Sequence, residues 1–154
     1  MTNQLNNKNL YWTKDAFSLN HSIYEGKNVV GVITDNSITR TIKASIFGMK
    51  FIYEIDGFFK PRLSIIDLDD KKDLGRITFN VFSAKAKIFL EREAYYWEFK
   101  NFMHTKWVLM DQNDQVLIAA ESRKEGYSII KNNKSALLLL TALIIRNQFT
   151  KQGY

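Results

Sequence analysis

Hydrophobic residues recur along this chain at two different periods, and the point where one gives way to the other predicts the architecture. Between Phe17 and Ile130 they come in short runs separated by turn-forming residues, with no sustained helical period. Residues 29–34 are rich in β-branched side chains and lie between Gly26 and Asp35-Asn36-Ser37, which predicts a strand ending in a turn. Residues 38–45 alternate, with Ile38, Arg40, Ile42 and Ala44 on one side and Thr39, Thr41, Lys43 and Ser45 on the other. Phe47-Gly48-Met49-Lys50 predicts a tight connection into a strand over residues 51–55, which Asp56-Gly57 closes. Pro61 opens the next strand, residues 62–67, at the position where a missing N–H costs least. Residues 74–82, 84–91, 95–102, 106–111, 116–121 and 126–130 continue the pattern. Connections of a few residues make successive strands antiparallel neighbours, so the order predicts a meander closing into a barrel or a sandwich.

The period changes near the C-terminus. Residues 136–145 read Ala-Leu-Leu-Leu-Leu-Thr-Ala-Leu-Ile-Ile. At about 100° per residue these positions cover every azimuth of a helix, so no single neighbouring layer can hide them. At about 1.5 Å per residue the run reaches only about half way across a hydrocarbon core. Arg146, Asn147 and Gln148 follow at once, so protein is the expected envelope and no transmembrane segment is predicted. Asn132-Asn133 offers a side-chain oxygen to cap the helix. Lys131 and Lys134 sit at the wrong end for the helix dipole and Arg146 at the favourable one.

Size and composition narrow the picture further. A chain of 154 residues without a linker or composition shift reads as one domain, here residues 16–154. Residues 1–15 are expected to form a mobile tail; the asparagine-rich first nine lack the charged start and apolar core of a secretory signal. A cytoplasmic location is the corresponding expectation, with peripheral contact to a membrane left open. An aromatic content of 14% with a single proline suits pleated, half-buried strands. With no cysteine there is no disulfide, thiolate metal site or cysteine nucleophile. The net charge of +6 serves solubility, and it leaves anionic surfaces open as partners.

A many-stranded antiparallel chain with a C-terminal helix lacking a polar face resembles the tubby C-terminal domain superfamily, which includes the LURP-one-related proteins and the phospholipid scramblases. The segment 134–149 is similar to the central helix of that group. Members of it have a strand with a Lys-x-Arg pair, then four residues, then Gly-x-Lys-Phe and another strand. This chain has Thr41-Ile42-Lys43, Ala44-Ser45-Ile46-Phe47 and Gly48-Met49-Lys50-Phe51. Lys43 stands at the place of the family's arginine and Thr41 at the place of its lysine. The resemblance implies a closed antiparallel β-barrel of about twelve strands around a central hydrophobic helix, a mainly β fold that leaves no free sheet edge. It also implies contact between phosphate-bearing lipid headgroups and the outer face near Lys43, a role that the threonine at position 41 weakens.

No set of residues reads as catalytic, and the chain is expected not to be an enzyme and to carry no cofactor. His21 and His104, the two histidines, lie outside metal-binding or nucleophile motifs. Asp67, Asp69, Asp70 and Asp73 form the densest acidic cluster. Lys71 and Lys72 occupy positions where a calcium loop needs an oxygen ligand and a glycine, so surface turns are predicted there and around Asp111–Gln115, with no metal site. Tyr95, Trp97 and Phe99 share one strand face and, with Trp107, are expected to line the core rather than stack on nucleic acid. Lys85 and Lys87 share an outer face and, with Lys43 and Lys50, are the candidate ligand-binding residues for anionic phospholipid headgroups. The alternative function is a structural or protein-interaction scaffold with no lipid ligand.

Overall fold

The computed structural model describes residues 7–36, 39–57, 62–121 and 125–154. Its strands are β1 (Lys8–Lys14), β2 (His21–Glu25), β3 (Asn28–Thr34), β4 (Thr41–Ile46), β5 (Met49–Asp56), β6 (Arg62–Asp67), β7 (Lys72–Asn80), β8 (Lys85–Leu90), β9 (Glu93–Phe99), β10 (Trp107–Asp111), β11 (Val116–Ala120) and β12 (Glu125–Ile130), and its helix is α1 (Asn133–Lys151). All twelve strands belong to one sheet ordered β11-β10-β9-β8-β7-β6-β5-β4-β3-β2-β1-β12. Each pairs antiparallel with its neighbours. The last strand pairs with the first, so the sheet curls round into a nearly closed barrel whose seam lies between β11 and β12. Inside, rings bridge what the ladder leaves open: Trp12 of β1 and Trp107 of β10 stack at 6.3 Å.

The helix is the axle. Ala136 to Phe149 are all buried, and they meet alternate residues of the strands, among them Ile23, Ile33, Ile42, Tyr53, Ile65, Ile77, Ile88 and Trp97. Each fully buried Leu or Ile contributes about 1.5–3 kcal/mol relative to exposure. Asn132 is the N-cap, and its Oδ1 accepts from the backbone N–H of Ser135 at 2.9 Å. At the other end Gly153, at φ 95°, allows its own N–H to bond to Thr150 O and that of Tyr154 to Phe149 O, which closes α1 on two of its last carbonyls. Lys134 does not oppose the dipole unaided, because its ammonium lies 3.2 Å from the Glu93 carboxylate. No helix among the described residues is long and apolar enough to cross a membrane.

The start of the chain departs from expectation. Residues 8–14, read above as part of a mobile tail, are β1, paired on one side with β2 and on the other with β12. Leu10 and Trp12 are the reason, since both point inward and are buried. Gly126 on β12 lies directly under the Trp12 ring, where any side chain would collide with it. The strand therefore joins the two ends of the meander. The triplet at residues 122–124 and Ile38 and Pro61 lie outside the described residues.

Because consecutive strands alternate in direction, the barrel has two distinct ends. One carries the β2–β3, β4–β5, β6–β7, β8–β9 and β10–β11 turns and the start of α1. The other carries the β1–β2, β7–β8 and β9–β10 connections and the end of α1, where the Tyr154 hydroxyl donates to Val81 O at 2.7 Å.

Candidate functional site

Phe47 and Gly48 form the two-residue turn between β4 and β5, both at positive φ (48° and 79°), a backbone twist that suits tightly coupled strands. The turn is held by Phe47 N–H to Val30 O at 2.8 Å and by Leu68 N–H to Lys50 O at 2.9 Å. In this register Lys43 lies opposite Ile52 and Ser45 opposite Lys50. Ile42, Ala44 and Ile46 face the core, so Lys43 and Lys50 both project from the outer face, where they are exposed. They border a shallow depression of about 200 Å3 lined by Val32, Thr34, Ala44, Ser45, Phe51 and Leu68. Val32 and Leu68 are 41% and 42% exposed, so two ammonium groups flank a small apolar floor. Among the described residues neither lysine has an ion-pair partner.

No protein-family model, curated protein or solved structure matches the chain.

The four candidate lysines do not form one patch. Lys85 and Lys87 lie on β8, and β6 and β7 separate them from β5. Lys85 is 3.4 Å from Glu98, which Lys100 also approaches at 3.1 Å. Lys87 lies over the rings of Phe89 and Tyr96 at 5.5 and 5.9 Å, an arrangement that covers outward-facing aromatic surface. Thr41 is half-buried opposite Glu54, so it faces a carboxylate across the β4–β5 ladder. Arg40 is turned to the end of β5, where its guanidinium donates to Ile55 O and Gly57 O at 3.2 and 3.4 Å.

Sequence reasoning missed Arg62, Arg76 and Arg92. They line a groove on the outer face of β6 and β7 together with Asp56, Asp73 and Glu91, three charges of each sign. Arg62 is 3.5 Å from Asp56. A mixed groove of this kind has little net attraction for an anion. Only contact across the sheet reveals it, because residues 62 and 92 are far apart in the chain.

The histidines and acidic turns have structural partners. His21 is buried, and its Nδ1 lies 3.1 Å from Leu19 O. Burial is the main reason its pKa falls from 6.5 to about 4, which keeps the ring neutral. His104 packs edge-on against Phe99 and Tyr154, with centroids 4.7 and 5.1 Å away. Asp67 Oδ1 accepts from the N–H groups of Asp69 and Asp70, and Asp111 Oδ1 from those of Asn113 and Gln115, so both carboxylates shape turns. Among the described residues no three His, Asp or Glu side chains are grouped as metal ligands. Tyr95, Trp97 and Trp107 are buried, and Trp97 stacks on Phe149 of α1 at 5.2 Å.

A second constellation escaped the sequence altogether. Asp35, whose side chain is fully buried, accepts from Asn147 Nδ2 at 2.9 Å and pairs with Lys151 at 2.6 Å. Asn147 Nδ2 also donates to Leu19 O at 2.8 Å, and Asn20 Oδ1 accepts from Asp35 N–H at 2.8 Å. These bonds tie the end of α1 to β3 and to the β1–β2 connection. Both carboxylate oxygens of Asp35 accept from α1, so the cluster fastens the axle rather than presenting a reactive group.

Proposed function

We propose that this chain is a non-enzymatic binding module of the tubby-like group, and that it meets phosphate-bearing anionic lipid headgroups on its flank at Lys43 and Lys50. The observation that carries this reading is a pair of ammonium groups, without ion-pair partners among the described residues, bordering a small apolar floor of Val32 and Leu68. A headgroup phosphate placed between the two lysines would leave the floor for its glycerol and upper acyl carbons. Lys85 and Lys87 contribute less, since a carboxylate and two rings already occupy them. Each basic residue near an anionic surface is worth about 1 kcal/mol, so the association is weak and screened by salt. Co-sedimentation with phosphatidylcholine vesicles, and with the same vesicles containing phosphatidylglycerol, tests it at low and high salt. The reading expects recovery only with the anionic vesicles, a fall on adding salt, and a reduced recovery in Lys43→Ala/Lys50→Ala. Equal recovery with both vesicle types would dispose of it.

A protein-interaction scaffold is the second reading, and the seam favours it. Val116, Leu117, Tyr127 and Ile129 stand exposed on the two strands that flank the gap, an apolar flank suited to a protein partner. Under this reading, partners recovered in an affinity pull-down survive replacement of Lys43, Lys50, Lys85 and Lys87 by alanine.

A further inference from the structure

The large apolar side chains that are most exposed among the described residues all sit at one end of the barrel. Phe17 is 102% exposed, Phe82 100% and Phe102 91%; every other exposed large hydrophobic among the described residues is at 64% or below. Phe17 lies in the β1–β2 connection, Phe82 in β7–β8 and Phe102 in β9–β10, three connections at the end where α1 terminates. We infer that this end is a membrane-contacting face, with Phe17, Phe82 and Phe102 as the side chains that enter the lipid interface.

The three connections are built, not frayed. Lys14 Nζ donates to Asp15 O and Ser18 O at 2.8 and 2.7 Å, and Asp15 N–H bonds Asn20 O at 3.0 Å. Asn80 Oδ1 accepts from Ser83 N–H at 3.2 Å, and Tyr154 holds Val81 O. Asn101 Oδ1 accepts from the N–H groups of Thr105 and Lys106 at 3.0 and 2.9 Å. Each loop thus fixes its backbone with polar groups and aims a phenylalanine away from the protein, so little ordering remains when the ring is taken up.

Charge points to the same occupant. Lys14, Lys85, Lys100 and Lys106 border the three connections, and Asp15 is the acidic residue within them. Glu98 serves both Lys85 and Lys100, which leaves a cationic balance. The turns at the opposite end carry Asp69, Asp70, Glu91 and Asp114 against Lys27, Lys71 and Arg92, so they have no cationic excess, and they lack such protruding rings among the described residues. Aromatic tips with lysines behind them match the layering of a bilayer surface, where rings sit at headgroup depth and ammonium groups meet phosphate. A fluid surface receives separated protrusions wherever they fall. The β1–β2 connection lies across the ring from the other two, so a folded partner would need matching sockets spaced over the barrel's width. This face is distinct from the Lys43–Lys50 corner on the side wall, and the two fail independently.

Vesicle flotation with phosphatidylcholine containing phosphatidylglycerol tests the inference on wild type, on Phe17→Ser/Phe82→Ser/Phe102→Ser and on Lys43→Ala/Lys50→Ala. The expected result is roughly a hundredfold or larger fall in partitioning for the phenylalanine variant, each ring removed costing roughly fivefold to tenfold, and a smaller change for the lysine variant. Wild-type partitioning by the phenylalanine variant, or no partitioning by wild type, would overturn the inference; loss in the lysine variant alone would favour the flank instead. Phe82→Trp gives a second readout that needs only one exposed substitution. Trp12, Trp97 and Trp107 are buried and respond little to vesicles, so a blue-shifted emission, quenched by nitroxide-labelled lipid, reports entry of position 82. Unchanged emission on bound vesicles would overturn the inference, as would concentration-dependent dimerisation abolished by the triple substitution without any vesicle binding.

Discussion

The two halves of α1 are enclosed by opposite chemistry. From Ala136 to Ile145 the helix touches strand side chains through carbon, and the hydroxyl of its one polar side chain, Thr141, is engaged by Leu137 O one turn back and by the Tyr53 hydroxyl, each at 2.8 Å. From Arg146 to Lys151 it is polar yet largely enclosed, and its side chains reach chain segments at one end of the barrel. Arg146 donates to Thr150 and to the carbonyls of Tyr154 and His104 and lies over the Phe99 ring at 4.9 Å. The first half supplies cohesion that is indifferent to register. The second supplies directional bonds that fix how far and at what rotation the axle is seated, which is what buried polar groups can add where apolar contact cannot.

The largest effect is expected in the first half. Leu140→Asp places an unpaired carboxylate where no water reaches and should cost at least about 5 kcal/mol, enough to abolish soluble expression. Recovery of a soluble protein with unchanged melting temperature would contradict the enclosure of this half. Asp35→Ala strikes the second half by leaving Lys151 without its carboxylate and Asn147 with Leu19 O alone, with an expected loss of about 3–5 kcal/mol in chemical denaturation. A barrel that stays folded while the β1–β2 and β3–β4 amides lose their exchange protection would show that the fastening is local.

Acid should also separate the halves. The folded-state pKa of His21, beside the Leu19 carbonyl that Asn147 shares, is lowered from 6.5 to about 4. The unfolded chain therefore takes up a proton on this ring before the folded one does. Its contribution of about 3 kcal/mol is present in full above pH about 6.5 and is lost as the pH falls through about 4. Denaturant melts between pH 7 and 4 (roughly the window set by those two values) should lose that part of their slope in His21→Gln. The smallest effect is Thr141→Val. It leaves the buried Tyr53 hydroxyl without its 2.8 Å partner and costs about 1–3 kcal/mol, whereas Thr141→Val with Tyr53→Phe removes both groups and recovers most of the loss.

The same contrast explains what could be read in advance. The first half of α1 was legible because a ten-residue run with no polar side admits one environment, and the strand runs from residue 29 onward because alternation and turn residues are local signals. β6 spans Arg62–Asp67, the residues expected. The N-terminal strands were not legible: β1 offers only Leu10 and Trp12 as inward residues beside an asparagine-rich segment, and its pairing partner β12 is the last strand of the chain. Asp35 reads locally as a turn residue; its partners are 112 and 116 positions away. The Lys43–Lys50 corner followed from strand alternation and the Phe47-Gly48 turn, but the separation of Lys85 and Lys87 from it depends on strand order, which spacing alone does not carry.

The account stands on the helix being enclosed by the strands of its own chain. Native-state hydrogen exchange on the monomer measures this most directly at the backbone amides of residues 137–149. The prediction is that they exchange only through global unfolding, with opening free energies equal to that of denaturant unfolding. Exchange through openings well below that value, or protection that appears only at high protein concentration or on vesicles, would contradict it.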